Sequence, residues 1–252
     1  MIKDSKYYSV AALTDIGLER ESNQDAVLVN EELGLFAVSD GMGGLSAGEQ
    51  ASRYVRESLP LLLTKALAER ETPPSPEEAA ELLRTTVTLL SDTFYESVNQ
   101  NGTVMGATVA ALWLLDHKAV FVSLGDSRAY ILRRFQREPD QITEDMNLAA
   151  LLVREGVITR QEARNHPSSS RLTAFVGMPA PATPSVSVYD LHPGDRVLLC
   201  SDGLYGMVEE KEMARILRGS RSPRLVCKAL IEAANRHGGK DNIAALYLRM
   251  DR

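Results

Sequence analysis

Between residues 46 and 100 the chain carries two consecutive stretches of helical periodicity, with groups of strand-like runs before and after them. SAGEQASRYVRESLPLLLTKALAER (46–70) and EEAAELLRTTVTLLSDTFYESVNQ (77–100) repeat apolar residues at helical spacing. The ETPPSP break parts them, and Pro76, between a serine and two glutamates, is a good helix start. A chain that groups its strands and inserts paired helices between them is α+β, with helices stacked on sheets, and not a run of alternating βα units.

The strand-like runs fill in that outline. Tyr7 to Leu13 and Ala26 to Ser39 are short, β-rich and broken by turn residues, as in a hairpin of strands. GATVAALWLL, KAVFVSLGDS and RAYILRR are separated by Asp-His-Lys and Gly-Asp-Ser, which predicts an antiparallel meander. SVSVYDL and RVLLCS follow as strands, then a helix at 222–237, and IAALYLRM as the last strand. The more polar TEDMNLAALLVREGVITRQEARNHPSSSR (143–171) reads as two short helices and a Ser-rich irregular segment inserted over a surface, where loops often serve function.

Length and charge narrow the function. At 252 residues, 44% apolar and 25% charged, the chain suits one large domain spanning 1–252 with a sizeable core. A formal charge of −6 gives no basic footprint for nucleic acid and no polybasic membrane patch. No stretch approaches the roughly 18 apolar residues of a membrane span, and the N-terminus lacks a signal-peptide apolar region, so the expected location is cytoplasmic. Cys200 and Cys227 match no metal or redox spacing and read as buried thiols.

Four aspartates stand where apolar runs end or begin: Asp40 in FAVSDGMGG, Asp126 in SLGDSR, Asp202 in LLCSDGLYG and Asp241 in GGKDNIAAL. Each has glycine within two residues, which lets the backbone turn sharply and bring a carboxylate toward others at a sheet end. One Asp-Gly junction is an ordinary turn. Several carboxylates gathered together cannot all stay ionised without a cation. Oxygen ligands of this kind suit Mg²⁺ or Mn²⁺, not zinc, and the four histidines show no ligand spacing. Arg20, in TDIGLERESNQDA, adds a guanidinium whose planar fork can hold two phosphate oxygens, although an arginine in a polar loop is most often a surface residue.

Taken in order, TDIGLERESNQDA, FAVSDGMGG, GATVAAL, VSLGDSRAY, the 143–178 segment ending HPSSSRLTAFVGM, LLCSDGLYGMV and GGKDNIAAL resemble the motifs of the metal-dependent Ser/Thr protein phosphatases of the protein phosphatase 2C type, in their bacterial form. The resemblance spans about residues 8–249. It implies a four-layer α-β-β-α sandwich of two antiparallel sheets flanked by helices, with a flap subdomain at about 143–178. It also implies a serine/threonine phosphatase in which a water bridging two metal ions attacks phosphorus directly. Asp40 is then similar to the carboxylate bridging the metals. The carbonyl of Gly41 would be a ligand of the second metal, Asp202 and Asp241 of the first, and Asp126 with Asp202 of a third, weaker site. Arg20 resembles the arginine that clamps substrate phosphate, and Gln24 and Asp25 would hold metal-bound water from outside. Implied partners are phosphoprotein substrates, with a Ser/Thr kinase and its targets.

Three departures from the family pattern stand out. Met42 occupies the position where many eukaryotic members have histidine, a candidate general acid, so leaving-group protonation must come from water or another group. Gln24 replaces a frequent glutamate, removing one negative charge near the second metal. In the flap, Leu172-Thr173-Ala174-Phe175-Val176-Gly177 lacks the family's arginine, and Ser168 to Ser170 replace a more basic run.

Rival readings are weaker. GLSAG (44–48) spells the nucleophile elbow of serine hydrolases, but Asp40 to Leu45 intervene between the strand and Ser46. GMGGLS has Ser46 where a dinucleotide loop needs its third glycine. A phosphoprotein-binding protein without catalysis is opposed by the retention of Arg20, Asp40, Asp202 and Asp241. Trp113 lies in an apolar run and is expected in the core.

Overall fold

A computed structural model describes residues 7–44, 46–98, 105–164, 166–179 and 181–251. Eleven strands and seven helices are defined among them. The first sheet takes the order β1 (Tyr8–Asp15), β11 (Ile243–Met250), β10 (Arg196–Cys200), β7 (Arg128–Leu132), β8 (Asp140–Gln141). The second takes β2 (Asp25–Asn30), β3 (Leu35–Met42), β5 (Val109–Leu115), β6 (Lys118–Leu124), β9 (Ser185–Asp190), with β4 (Gly106–Ala107) on the end of β3. Every pairing is antiparallel.

Period-two alternation explains why the strands read as nearly continuous apolar runs. In β3, Leu35 and Ala37 face one layer while Phe36 and Val38 face the other. The first pair packs with Val55, Leu59 and Leu63 of α1 (Ala47–Ala68) and Leu83, Val87 and Leu90 of α2 (Pro76–Val98). The second meets Val197, Leu199, Leu246 and Leu248 from the other sheet. On the far side, Leu198, Cys200 and Tyr247 pack on Met213 and Leu217 of α6 (Glu210–Gly219) and Val226 and Leu230 of α7 (Pro223–Arg236). With both faces of each sheet covered, the alternation is hydrophobic on hydrophobic. The result is the four-layer α-β-β-α sandwich expected from the sequence. Trp113 is core, 2% exposed, its indole N–H donating to the Leu33 carbonyl at 3.0 Å.

The two expected helices are α1 and α2, and the end of the second expectation, residues 99 and 100, lies outside the described residues. A capping box opens α2: the Ser75 hydroxyl accepts from the Glu78 amide at 3.2 Å, and the Glu78 carboxylate accepts from the Ser75 amide at 2.8 Å.

Two strand expectations are corrected. Tyr7 to Leu13 does not form a hairpin with Ala26 to Ser39: β1 pairs β11, and the hairpin is β2 with β3 inside the second stretch. The three-run meander holds only for β5 and β6, because β7 pairs β10 and β8 in the opposite sheet. The reason is the same at both places. Between β1 and β2, and again at Gly125 between β6 and β7, the chain crosses from one sheet to the other. Gly125 has φ +105°, and a Cβ there would lie 2.8 Å from Thr108 Cβ, so only glycine makes this crossing without strain. The helix α6 and the short turn α5 (Asp202–Tyr205) were not anticipated.

Candidate metal and phosphate site

Both crossings lie at one end of the sandwich, and so do the expected site residues. Asp25 opens β2 and stands opposite Asp40 near the end of β3, a cross-strand pair of carboxyls. Asp126 precedes β7 and Asp202 follows β10, whose paired ends are Arg128 and Cys200. Asp241 lies two residues before β11, whose Ala245 is also opposite Cys200. Gly41 follows Asp40, and its amide donates to the Gln24 carbonyl at 3.0 Å. Arg20 is in the crossing from β1 to β2, and its Nη2 donates to Asp241 Oδ2 at 2.6 Å.

Like charges opposite one another in a sheet are destabilising, and these are also buried. Asp25 and Asp126 are 8% and 5% exposed, while Asp40, Asp202 and Asp241 are half-buried. Burial, then the charges of Asp25, Asp202, Asp126 and Asp241, push Asp40 well above the usual carboxylate range. Burial lifts Asp25 to about 8, with Asp202 and Asp241 adding and hydrogen bonds from Ser201 and Asp40 opposing. Asp126 rises to about 7 through burial and then Asp202. Asp202 rises to about 6 through burial and then Asp241. Thus five carboxyl groups from five places in the chain share one electrostatic neighbourhood.

They do not form a ready-made chelate. Among the described residues, no three His, Cys, Asp or Glu side chains are gathered closely enough to hold a metal ion. Asp241 is drawn to Arg20 instead. The donor set nonetheless fits a hard divalent cation: all carboxylate oxygen, with Asp25 Oδ1 and Asp202 Oδ1 buried and without a hydrogen-bond partner.

Several supporting residues escaped the sequence reading. The Ser201 hydroxyl donates to Asp25 Oδ2 at 2.6 Å and accepts from the Ala244 amide at 2.9 Å. Thr108 Oγ1 accepts from the Asp40 amide at 3.0 Å and lies 2.6 Å from Ser127 Oγ, joining the neighbours of Asp40 and Asp126. Asn147 Nδ2 donates to Asp126 Oδ2 at 3.2 Å, while its Oδ1 caps α3 (Leu148–Arg154) by accepting from Ala150. Arg128 makes a two-pronged pair with Asp145, at 2.8 and 2.6 Å, and stacks 3.6 Å over the Tyr205 ring. The 143–178 stretch therefore touches the site through Asp145 and Asn147. Its other end is tied at Val176, paired with Ala107, and at Gly177, whose amide donates to Ser91 Oγ. A sequence signal existed for Ser201, since serine precedes both Asp-Gly junctions; for Asn147 and Thr108 there was none.

Ser46 is exposed at the start of α1, and among the described residues every strand pairing is antiparallel, which is not the framework of a hydrolase elbow. Cys200 and Cys227 are buried free thiols.

Known proteins point the same way. The family described as Protein phosphatase 2C matches residues 19–225. The serine/threonine phosphatase stp of Listeria monocytogenes is 34% identical over 243 residues, 94% of each chain. The crystal structure of the Mycobacterium tuberculosis serine/threonine phosphatase PstP/Ppp aligns with a TM-score of 0.81 at 32% identity, covering 97% of this chain and 99% of that one. A PstP catalytic domain solved in complex with 2 manganese ions aligns with a TM-score of 0.79 at 30% identity, covering 97% and 99%. By sequence, fold and the order of its motifs, the chain belongs to the protein phosphatase 2C family.

Proposed function

We propose that the protein hydrolyses phosphoserine and phosphothreonine esters of proteins, using two divalent cations, Mn²⁺ or Mg²⁺, in the carboxylate cluster and a third at a weaker site. The observation that carries this is the burial of mutually repelling carboxyls at one end of the sandwich, beside a guanidinium, in a chain of this family. Asp40, Asp202 and Asp241 with the Gly41 carbonyl would hold the pair, and Asp126 with Asp202 the third ion. Once bound, such cations supply Lewis acidity, making hydroxide available near neutral pH and drawing off charge from the phosphoryl oxygens.

The chain's own residues do the rest. Arg20 opens onto a pocket of about 190 Å³ lined also by Glu21, Ser22, Gln24, Gly43 and Asn242, where an ester phosphate can meet the guanidinium. Asp25, held by Ser201, and Gln24 would order water beside the cations. Hydrolysis forms a bond from water oxygen to phosphorus and breaks the bond from phosphorus to the seryl or threonyl oxygen. That oxygen must gain a proton, and the thioether of Met42 has none to give, so water is the donor we favour. The 143–178 stretch would act as a flap bordering the substrate. No helix among the described residues is long and apolar enough to cross a membrane; we place the protein in the cytoplasm, opposing a Ser/Thr kinase.

The test is turnover of a phosphothreonine peptide with Mn²⁺, with EDTA, and in Asp40→Asn. Activity that needs the cation and falls at least about a hundredfold in the variant is expected. EDTA-resistant turnover, or an active Asp40→Asn, would end the assignment.

A further inference from the structure

Arg20 lies in the crossing from β1 to β2, residues 16–24, which the β2–β3 ladder reaches only at its last residue, where the Gly41 amide donates to the Gln24 carbonyl. Its side chain is half exposed. One side-chain amide from the other end of the sequence ties that loop at three points. Asn242 Nδ2 donates to the Ile16 carbonyl at 2.9 Å and to the Ser22 carbonyl at 2.8 Å. Its Oδ1 accepts from the Gln24 amide at 2.8 Å. Both donors and the acceptor are thus spent on a single loop, at its exit from β1 and at its entry into β2. Asn242 is 6% exposed, so these bonds are made away from competing water.

Arg20 is bracketed between the two carbonyls that Asn242 holds. On the β1 side of Arg20 the Leu18 amide also donates to the Gly239 carbonyl at 2.7 Å, and the Gly17 amide to Asp15 Oδ1 at 2.9 Å. The Asn242 backbone amide donates to Asp241 Oδ1, so main chain and side chain of one residue orient both members of the Arg20–Asp241 pair. That main-chain bond survives a side-chain substitution, which makes the two roles separable.

We propose that Asn242 is a positioning residue for Arg20, clamping the 16–24 loop at Ile16, Ser22 and Gln24 so that the guanidinium is held at the mouth of the pocket for substrate phosphate. This rests on the reading of Arg20 as the phosphate clamp. Only an amide fills the role. Aspartate at 242 has the same shape but would put one carboxylate oxygen, with no hydrogen to donate, where the NH2 group serves two carbonyls, and alanine removes all three bonds.

The experiment combines two readouts on Asn242→Ala, Asn242→Asp and Arg20→Ala. The first is hydrogen exchange of peptides covering 16–24, which should quicken on both Asn242 substitutions while β3, β10 and β11 stay protected. The second is kinetics on para-nitrophenyl phosphate with Mn²⁺ and inorganic phosphate as inhibitor. Asn242→Ala should raise KM and the phosphate inhibition constant together, on the order of tenfold, with the larger change in KM and not in kcat. In an Arg20→Ala background it should change either constant by less than about twofold, because residues acting as a unit are non-additive. Unchanged exchange in 16–24, a fall in kcat alone, or full multiplicative effects on top of Arg20→Ala would each overturn the inference. If exchange quickens but Arg20→Ala leaves KM and inhibition untouched, the clamp by Asn242 stands and the phosphate role of Arg20 is what fails.

Discussion

Stripped of divalent cations, the protein should lose stability as the pH rises from 5 to 8. Asp126 supplies the magnitude, because its carboxyl is nearly sealed from solvent, at 5% exposure, and rises from 3.8 to about 7 in the fold. Between those values the folded chain keeps a proton that the unfolded chain gives up, so stability falls with pH. The penalty is absent near pH 4 and complete above pH 7. At about 1.4 kcal/mol per unit, three units amount to about 4 kcal/mol, a large share of the roughly 5–15 kcal/mol that holds a domain together. Asp202 and Asp25 act in the same direction through about 6 and about 8. The assay is urea unfolding in EDTA at stepped pH, followed by the fluorescence of Trp113, the only tryptophan and a core residue. Asp126→Asn should flatten the slope by up to about 1.4 kcal/mol per pH unit between pH 4 and 7, and Mn²⁺ at pH 8 should restore the midpoint of the parent protein. Stability that stays level or climbs with pH in EDTA, or an unchanged slope in the variant, would refute the account.

Two further outcomes follow from single contacts. A Cβ on Gly41 would lie 1.9 Å from the Gly48 carbonyl oxygen, backbone against backbone, so Gly41→Ala should displace the start of α1 from the site; Mn²⁺ titration by calorimetry should show weakened binding with α1 and α2 still folded by circular dichroism. Asp145→Ala strips Arg128 of its two-pronged partner at a site where both side chains are mostly covered, 20% and 13% exposed, and should cost about 3 kcal/mol. Limited proteolysis should then cut first within 143–178, and cutting elsewhere first would argue against that ion pair as the tie.

The sequence revealed layers better than connections. Helix pairs and apolar runs come from local periodicity, so α1, α2 and the longer strands were legible almost to their ends, while the two-residue β8 was not. Which strand pairs with which was not, because the two misread places, β1 to β2 and β6 to β7, are sheet crossings decided by tertiary packing. Antiparallel strands joined by short loops look like a meander in sequence, and only the packing of Gly125 on Thr108 shows that the chain has changed sheets. The aspartates were legible because glycine marks each of them. Their supports were not: Ser201, Thr108, Asn147 and Asn242 act through hydrogen bonds across 21 to 226 residues of separation, and no local pattern records such a bond.

The Arg20–Asp241 pair joins what sequence motifs present as separate functions. One carboxylate is here held by the guanidinium proposed to receive phosphate, and the same carboxylate is proposed to hold a cation. Both partners are positive, and Asp241 cannot serve each at full strength. On that proposal a cation at Asp241 would weaken the hold on Arg20 and leave its fork free to meet an anion, and an anion on Arg20 would release Asp241 to the cation. Because binding free energies are reciprocal, cation and phosphate would then favour each other's binding to the same degree. Asn242, with its side chain on the loop and its main chain on Asp241, would let the partners change without the loop drifting away.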